Sequence, residues 1–256
     1  MTDPSERDAR LRAVFLAAGF ATRLWPLTRD RAKPLLEVGG EPMLTRLLRQ
    51  AEATGVVREV VVVTNGRFHG DFERWRDELD TTVDVALVND GAQDDGSRLG
   101  AVADLELALC SSPFEGPTDG WLVLAGDNLI DFELRPYVDR FLAGGAAQLI
   151  VRELDEPPPP HKYNEVVLDA GGRVLSFREK PETSTSGLAA IAVYVLPPQL
   201  PELVTAHLES DGARDAPGHL IERLVTVVPF EATPIAGRWF DIGDRDDLEA
   251  ARAAIG

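Results

Sequence analysis

The sequence predicts a doubly wound α/β fold, in which helices cover both faces of a mostly parallel sheet. Three observations lead to this prediction: unbroken apolar runs rich in β-branched residues, helical patterns between those runs, and a change of pattern after residue 151. The chain has 256 residues, of which 44% are hydrophobic. That is enough apolar material for the core of one large domain or two small ones.

Five apolar runs are predicted to form strands of the sheet. Each run is mostly apolar and does not alternate with polar residues, which suits a strand whose two faces are both buried. In chain order the runs occupy residues 13–18, 59–64, 83–89, 120–127 and 146–151. Because ligands of such folds bind at the carboxyl ends of the strands, we expect the functional site there.

Helical patterns lie between these strands. The first pattern follows Pro42 and is expected to stop at Gly55. Its apolar face comprises Met43, Leu44, Leu47, Leu48 and Ala51. A second pattern precedes the strand at 120–127 and comprises Leu99, Val102, Ala103 and Leu109.

After residue 151 the pattern becomes rich in strands. Residues 152–164 read as a proline-rich loop, and residues 165–181 as two strands around an Ala-Gly-Gly turn. Another strand is predicted at 188–196, followed by a final helix with Asp244 as its N-cap. Asp246 and Asp247 would complement the helix dipole in its first turn. We expect this half to extend the same sheet within a single domain, 1–256.

The charge and the segment lengths exclude several classes of partner. A formal net charge of −17 argues against nonspecific nucleic-acid binding, because a polyanion would be repelled. The apolar run that begins near residue 13 follows a charged leader and superficially resembles a signal peptide, but the leader also contains Asp3, Glu6 and Asp8. The run is only about half of the roughly 20 residues that cross a membrane. We therefore expect a soluble protein with neither nucleic-acid nor membrane partners.

The cysteine and histidine content gives further expectations. The single Cys110 excludes an internal disulfide, suggests a reducing compartment such as the cytoplasm, and is expected to be a small core residue. The histidines show no metal-ligand spacing and are expected on the surface or in loops. They are His69, His161, His207 and His219.

Residues 15–28, "FLAAGFATRLWPLT", contain the strongest functional signal. A core strand that ends in an ordinary turn would explain Gly19 alone, and a dinucleotide-binding turn is disfavoured because G-x-G-x-x-G is missing. A glycine corner after a strand presents backbone N–H groups that can hold phosphate oxygens. Thr22 adds a hydroxyl, while Arg23 and Lys33 add cations suited to a polyphosphate.

With "KPLLEVGG" after it, this stretch resembles the signature of the sugar-1-phosphate nucleotidyltransferases, the NDP-sugar pyrophosphorylases that include the glucose-1-phosphate thymidylyltransferases. Arg, Pro-Leu-Thr and Lys-Pro-Leu-Leu agree in order and spacing, whereas Ala21 stands where the family has a second glycine. The resemblance implies a Rossmann-like mixed sheet of the nucleotide-diphospho-sugar transferase type. It also implies a nucleotide-binding half at about 10–150 and a β-rich, sugar-phosphate-binding half at about 151–256.

The resemblance also assigns roles to residues. "LAGDNLIDF" supplies a metal-binding Asp127, "RWFDIG" a second metal ligand, Asp241, and "REKP" provides Glu179 for sugar hydroxyls and Lys180 for the phosphate. Taken singly, each of these late motifs is also compatible with a turn, a solvated loop or a helix cap. The implied nucleotide contacts are Leu16, Ala17, Ala18, Gly19, Phe20, Ala21, Thr22, Arg23, Asn89, Gly100 and Asp127.

Two departures fall near the implied sugar pocket. Asn164 and Glu165 replace a glycine of the family's Tyr-Gly-Val-Val, and Ala192 stands where a glycine is common. Both changes are expected to add side-chain volume near the pocket, so a cyclitol phosphate, a deoxysugar phosphate or another phosphorylated alcohol stays open beside a hexose phosphate.

The predicted reaction joins an NTP and a sugar 1-phosphate into an NDP-sugar and pyrophosphate. Magnesium held by Asp127 and Asp241 would bridge the phosphates, Arg23 and Lys33 would neutralise the β and γ groups, and Lys180 would hold the incoming phosphate. Two alternatives stay open: a catalytically silent protein that binds nucleotide or NDP-sugar, and an alcohol-phosphate cytidylyltransferase. The sequence assigns neither base nor sugar, nor an oligomeric state.

Overall fold

A computed structural model describes residues 9–154 and 158–255. Within these residues a seven-stranded sheet lies between two layers of helices, which confirms the predicted doubly wound α/β class. Acidic residues 3, 6 and 8 of the leader fall outside the described part. The central strands are β1 (Leu11–Leu16), β4 (Val57–Thr64), β5 (Asp84–Asn89), β6 (Gly120–Ala125), β8 (Ala147–Glu153), β11 (Leu188–Leu196) and β12 (Phe230–Pro234).

The order of the strands creates a crevice at the centre of the sheet. The order is β12-β8-β11-β6-β1-β4-β5, and β11 runs antiparallel to both of its neighbours. From β1 the chain first builds outward through β4 and β5, then crosses to the other side of β1 to form β6. At such a switch point the loops after two adjacent parallel strands diverge and leave room for a ligand. Here those loops follow Leu16 and Ala125.

Helices pack on both faces because successive residues of β1 point to opposite sides. Ala13 and Phe15 belong to one core cluster, and Val14 belongs to the other. The first cluster includes residues of α1 (Met43–Glu52), α2 (His69–Asp77) and α4 (Arg135–Gly144). The second includes residues of α3 (Ala101–Ser111), α5 (Leu200–Glu209) and α6 (Pro217–Leu224).

Smaller elements complete the mouth of the crevice. The predicted hairpin is present as β9 (Glu165–Leu168) and β10 (Val174–Arg178). Two further short pairs are β2 (Glu37–Val38) with β3 (Glu41–Pro42), and β7 (Leu129–Ile130) with β13 (Trp239–Phe240). The last helix, α7 (Arg245–Ile255), begins as predicted at Asp244, whose Oδ1 accepts the Asp247 N–H at 3.0 Å.

Several local expectations were wrong. Cys110 is exposed, because it lies near the end of α3 on the side away from the sheet. His207 is buried within α5, where its Nε2 bonds the Ala213 carbonyl at 3.0 Å. Leu99 precedes α3 and is exposed. Across residues 9–154 and 158–255, none of the helices has both the length and the apolar character needed to cross a bilayer.

Candidate functional site

The loop after β1 forms the corner that the sequence predicts. The Gly126 N–H donates to the Leu16 carbonyl at 2.8 Å, so the loops after β1 and β6 lie side by side. The chain then turns at Ala21, which has φ +47° and ψ +46°, and its carbonyl accepts the Thr28 hydroxyl at 2.7 Å. This left-handed conformation costs a non-glycine residue about 1 kcal/mol. The backbone here thus explains why a glycine suits this position, and alanine occupies it with some strain.

A cavity of about 270 Å³ opens on this corner. We call it the nucleotide cavity. It brings together the predicted catalytic Lys33 and most of the predicted nucleotide contacts, namely Leu16, Ala17, Ala18, Gly19, Ala21, Arg23, Gly100 and Asp127. Three predicted contacts lie elsewhere. Phe20 is buried 6.4 Å from the ring of Phe68, Thr22 lines a neighbouring cavity, and the Asn89 side chain accepts the Gly91 N–H at 2.8 Å.

Position 100 requires a glycine because the backbone of another segment lies very close to it. Gly100 has φ +96°, and a Cβ there would lie 2.4 Å from the Arg214 carbonyl oxygen. The same carbonyl accepts the Val102 N–H at 2.9 Å. The segment before α6 is thereby joined to the start of α3, and together they close one end of the nucleotide cavity.

An ion pair lies at the other end of this cavity. Lys33 Nζ donates to Asp127 Oδ2 at 2.7 Å, although 94 residues separate the two in sequence. The Lys33 side chain is only 11% exposed, because the turn Lys33–Leu35 is packed into the core. Asp127 comes two residues after the end of β6. Since β6 lies beside β1, the carboxylate reaches the phosphate corner predicted around Gly19 and Arg23.

A second, larger cavity of about 1010 Å³ adjoins the first, and we call it the sugar cavity. Arg23, Ala125, Asp127 and Gly243 line both cavities, so the two meet at a cationic arginine and a carboxylate. The sugar cavity also contains the remaining predicted site residues, Asn164, Glu179, Lys180, Ala192 and Asp241.

The two departures near this cavity have different structural consequences. Asn164 bridges to β11, since its Nδ2 donates to the Ala190 carbonyl at 3.0 Å and its Oδ1 accepts the Ala190 N–H at 2.7 Å. Ala192 has φ +54°, the left-handed region in which glycine is more comfortable. Glu165, by contrast, adds no volume to the cavity. Its side chain is 1% exposed and ion-paired with Arg178, so that expectation was wrong.

Glu179 and Lys180 reach the cavity from the end of β10. Burial raises the pKa of the Glu179 carboxyl, and the neighbouring Lys180 charge opposes that rise. Gly218 makes room for this carboxylate, because a Cβ there would lie 1.8 Å from Glu179 Oε2. Lys180 has φ +46°. Backbone strain of this kind persists where the surrounding structure enforces it, and here it accompanies a predicted site residue.

Sequence reasoning missed several lining residues. Arg152 lies in the sugar cavity with its guanidinium 4.9 Å from the Trp239 ring centroid and 5.2 Å from that of Tyr163. Lys162 lines the same cavity, and Asp104 lines the nucleotide cavity. One feature of the sequence could have pointed to Lys162. The sequence has three lysines among its 26 basic residues, and all three line these two cavities.

Comparisons with known proteins identify the family of this chain. A family model described as nucleotidyl transferase matches residues 12–256. A UTP–glucose-1-phosphate uridylyltransferase of Synechocystis is 29% identical over 96% of this chain and 63% of its own length. A glucose-1-phosphate thymidylyltransferase of Streptomyces griseus is 31% identical over 93% of this chain and 64% of its own length. The chain thus spans somewhat less than two thirds of these curated relatives.

The fold is also found in a solved structure of UDP-glucose pyrophosphorylase complexed with UDP-glucose. It superposes with a TM-score of 0.78 at 18% identity and covers 96% of this chain and 98% of that one. At this sequence identity, the likeness shows a shared fold. Because the family model extends over nearly the whole sequence, the chain belongs to the nucleotidyl transferase family.

Proposed function

We propose that the protein is an enzyme that condenses an NTP with a sugar 1-phosphate, or a similar cyclitol phosphate, to an NDP-sugar and pyrophosphate. The relatives named above carry out reactions of this class according to their names. The observation that carries the proposal is the meeting of two cavities at Arg23 and Asp127. Such an arrangement allows two phosphorylated molecules to face each other across one group of charges.

The nucleotide cavity would hold the NTP, with its triphosphate against the corner at Gly19. Arg23 presents a permanently charged, planar fork, and Lys33 presents a compact ammonium group. Lys33 is already held by Asp127 at 2.7 Å, so little side-chain freedom is lost when phosphate binds. These two cations would neutralise the β and γ phosphates as pyrophosphate departs.

The sugar cavity would hold the second substrate. A phosphomonoester has a second pKa of about 6, so at pH 7 it is mostly a dianion and needs no general base. Lys180 would position this dianion for in-line attack on the α-phosphorus, while Glu179 would accept hydrogen bonds from sugar hydroxyls. The remaining task is positioning and electrostatic stabilisation. In this assignment residues of about 10–150 bind the nucleotide and those of about 151–256 bind the sugar phosphate.

The family generally uses a divalent metal ion, and we propose Mg²⁺ here. Asp127 and Asp241 line the sugar cavity together, and in the described part of the chain no cluster of three or more acidic, His or Cys side chains forms a closed metal site. Mg²⁺ is commonly held by one or two carboxylates together with substrate phosphates, so Asp127 and Asp241 fit this ion. When bound, it would offset phosphate charge at the attacked phosphorus.

Pyrophosphate release tests this proposal. The protein is incubated with Mg²⁺ and each combination of five NTPs and a panel of sugar 1-phosphates, including hexose, deoxyhexose and cyclitol phosphates. We expect sustained turnover with at least one pair. Asp127→Asn is expected to lower kcat at least 100-fold, because it removes both the metal ligand and the Lys33 partner.

The matched control is Asp80→Asn, which removes the same charge from an exposed position outside both cavities. Its activity should equal that of the wild type. Nucleotide binding without turnover for any pair would favour a silent binding protein, and turnover with CTP and a simple alcohol phosphate would favour a cytidylyltransferase of that type. We place the reaction in the cytoplasm, where a single unpaired cysteine is common.

A further inference from the structure

The nucleotide cavity contains an acidic group that the proposed reaction does not use. Asp104 lies in the first turn of α3, is 7% exposed and lines the cavity. Asp90 follows β5 immediately and approaches Asp104 from the sheet. Buried carboxylates are rare without a cationic partner. Neither of these two forms an ion pair with any described residue.

The hydrogen bonding of the pair indicates a shared proton. Asp90 Oδ1 accepts the Ala92 N–H at 2.7 Å, whereas Asp90 Oδ2 and Asp104 Oδ1 are enclosed and find no donor among the described residues. The two carboxyl groups are within hydrogen-bonding reach of each other. Two carboxyl oxygens attract only if a proton lies between them, so one proton satisfies both. Burial, aided by the Asp90 charge, raises the pKa of Asp104 to about 7.

Asp104 lines the same cavity from a different element than the residues proposed to bind the phosphates. Arg23, Lys33 and Asp127 define the phosphate end of the cavity. Gly100 and Asp104 belong to the wall formed by α3. A carboxyl pair that keeps one negative charge would repel a triphosphate, so the uncharged part of the nucleotide is the part that can lie against it.

We propose that Asp104, oriented by the proton that it shares with Asp90, recognises the nucleobase by accepting a hydrogen bond from a ring imino N–H. Asp104 lines the cavity, so the carboxyl oxygen that does not share the proton is the one available to the ligand. Uracil, thymine and guanine carry such an N–H on the Watson–Crick edge. Adenine and cytosine carry a lone pair at the corresponding ring nitrogen, which a carboxyl acceptor repels. This inference rests on the proposed function, because it assumes that the cavity holds an NTP.

Nucleotide binding in the absence of a sugar phosphate tests the inference separately from catalysis. Dissociation constants of UTP, dTTP, GTP, ATP and CTP are measured by calorimetry with Mg²⁺. For the wild type, we expect at least one imino-bearing nucleotide to bind 10-fold or more tightly than ATP and CTP. Asp104→Ala should weaken that nucleotide at least 10-fold and leave ATP, CTP and inorganic triphosphate within 2-fold.

Conservative variants separate recognition from a merely structural role. Asp104→Asn can donate its amide N–H to Asp90 and still present an oxygen to the base, so it should retain the preference. The double variant Asp90→Ala/Asp104→Ala removes both carboxyl groups, so no buried acid is left without a partner. It replaces Asp104→Ala in the binding measurements if that single variant does not fold. Glu106→Gln, also on α3 but outside the cavity, is the matched control.

The outcomes are distinct for the two proposals. A wild type that prefers ATP or CTP, or an alanine variant that keeps the wild-type preference, would overturn the role of Asp104. Binding of no nucleotide at all would overturn both proposals. The expected base preference without pyrophosphate release from any substrate pair would support Asp104 as the base-reading residue and refute only the proposed reaction.

Discussion

Replacing Glu165 by glutamine is expected to destabilise the protein strongly. The carboxylate accepts hydrogen bonds from Arg178 through Nε at 2.8 Å and Nη2, and from Ser184 Oγ at 3.1 Å. It also accepts the backbone N–H groups of Thr185 and Ser186. The amide NH₂ group of a glutamine would face either Arg178 or the backbone N–H groups, and all of these are themselves hydrogen-bond donors. The side chain is 1% exposed, so water cannot replace the lost bonds.

The magnitude follows from the pKa of this carboxyl. Burial alone would raise the pKa, but the hydrogen bonds from Thr185, Arg178 and Ser186 outweigh burial and lower it from 4.5 to about 2. A lowering of this size corresponds to about 3 kcal/mol that favours the ionised folded state. For a chain of this length, the melting temperature should fall by about 6–12 °C.

The pH dependence gives a second, independent signature. Because the folded pKa lies below the unfolded value of 4.5, the carboxylate stabilises the fold fully above that value. The contribution is lost as the pH falls from about 4.5 to about 2. The stability difference between the wild type and Glu165→Gln should therefore be constant from pH 8 to 5.5 and shrink below about pH 4.5.

Urea denaturation followed by circular dichroism at several pH values measures both quantities. Glu182→Gln, at an exposed position in the same loop, is the control and should change the free energy of unfolding by less than about 0.5 kcal/mol. A loss of less than about 1 kcal/mol in the free energy of unfolding of Glu165→Gln at pH 7 would contradict the predicted role of this carboxylate, as would a stability difference that grows as the pH falls. Since Arg178 directly precedes Glu179 and Lys180, we also expect a higher KM for the sugar phosphate and an unchanged KM for the NTP.

Three further predictions concern other parts of the molecule. Gly218→Ala should raise the KM for the sugar phosphate without unfolding the protein, since the new Cβ would displace the Glu179 carboxylate from 1.8 Å away; steady-state kinetics with an unchanged KM would contradict this. Cys110 is exposed, so one thiol should react with Ellman's reagent in the native state, and a thiol that reacts only after denaturation would show that it is enclosed. Because the net charge is −17, raising NaCl from 0.1 to 1 M should screen the repulsion between acidic groups and raise the melting temperature measured by scanning calorimetry. A lower melting temperature at 1 M NaCl would argue against self-repulsion.

The sequence predicted the strands well because their signal is local. Each of the five predicted runs overlaps a strand of the central sheet, because runs of apolar β-branched residues favour strands whether they lie inside the sheet or, like β5, at its edge. Helix α2 (His69–Asp77) was not predicted, because only Phe72 and Trp75 form its buried stripe. Cys110 and His207 show the same limit, since one residue's burial depends on which side of its helix faces the sheet.

The corner at Gly19 was predictable for a different reason. Arg23 and Lys33 are close in sequence to the end of β1, and turns place such neighbours together without help from distant segments. The left-handed backbone at Ala21 agrees with the glycine of the family signature. Glu165 was misplaced because the preceding Asn164 lines the sugar cavity, whereas the Glu165 side chain, at the start of β9, is buried against Arg178.

By itself, the sequence determined the α/β class, the loop at Gly19 that is proposed to bind phosphate, and the residue types available for binding anions. Only the tertiary structure decided which distant residues meet: Lys33 with Asp127, Asp90 with Asp104, and the two cavities at Arg23. The reason is that strand propensity and turn chemistry act over a few residues, while the order of strands in the sheet sets the distance between loops. Placing β6 beside β1 brings a carboxylate 94 residues away to within 2.7 Å of a lysine.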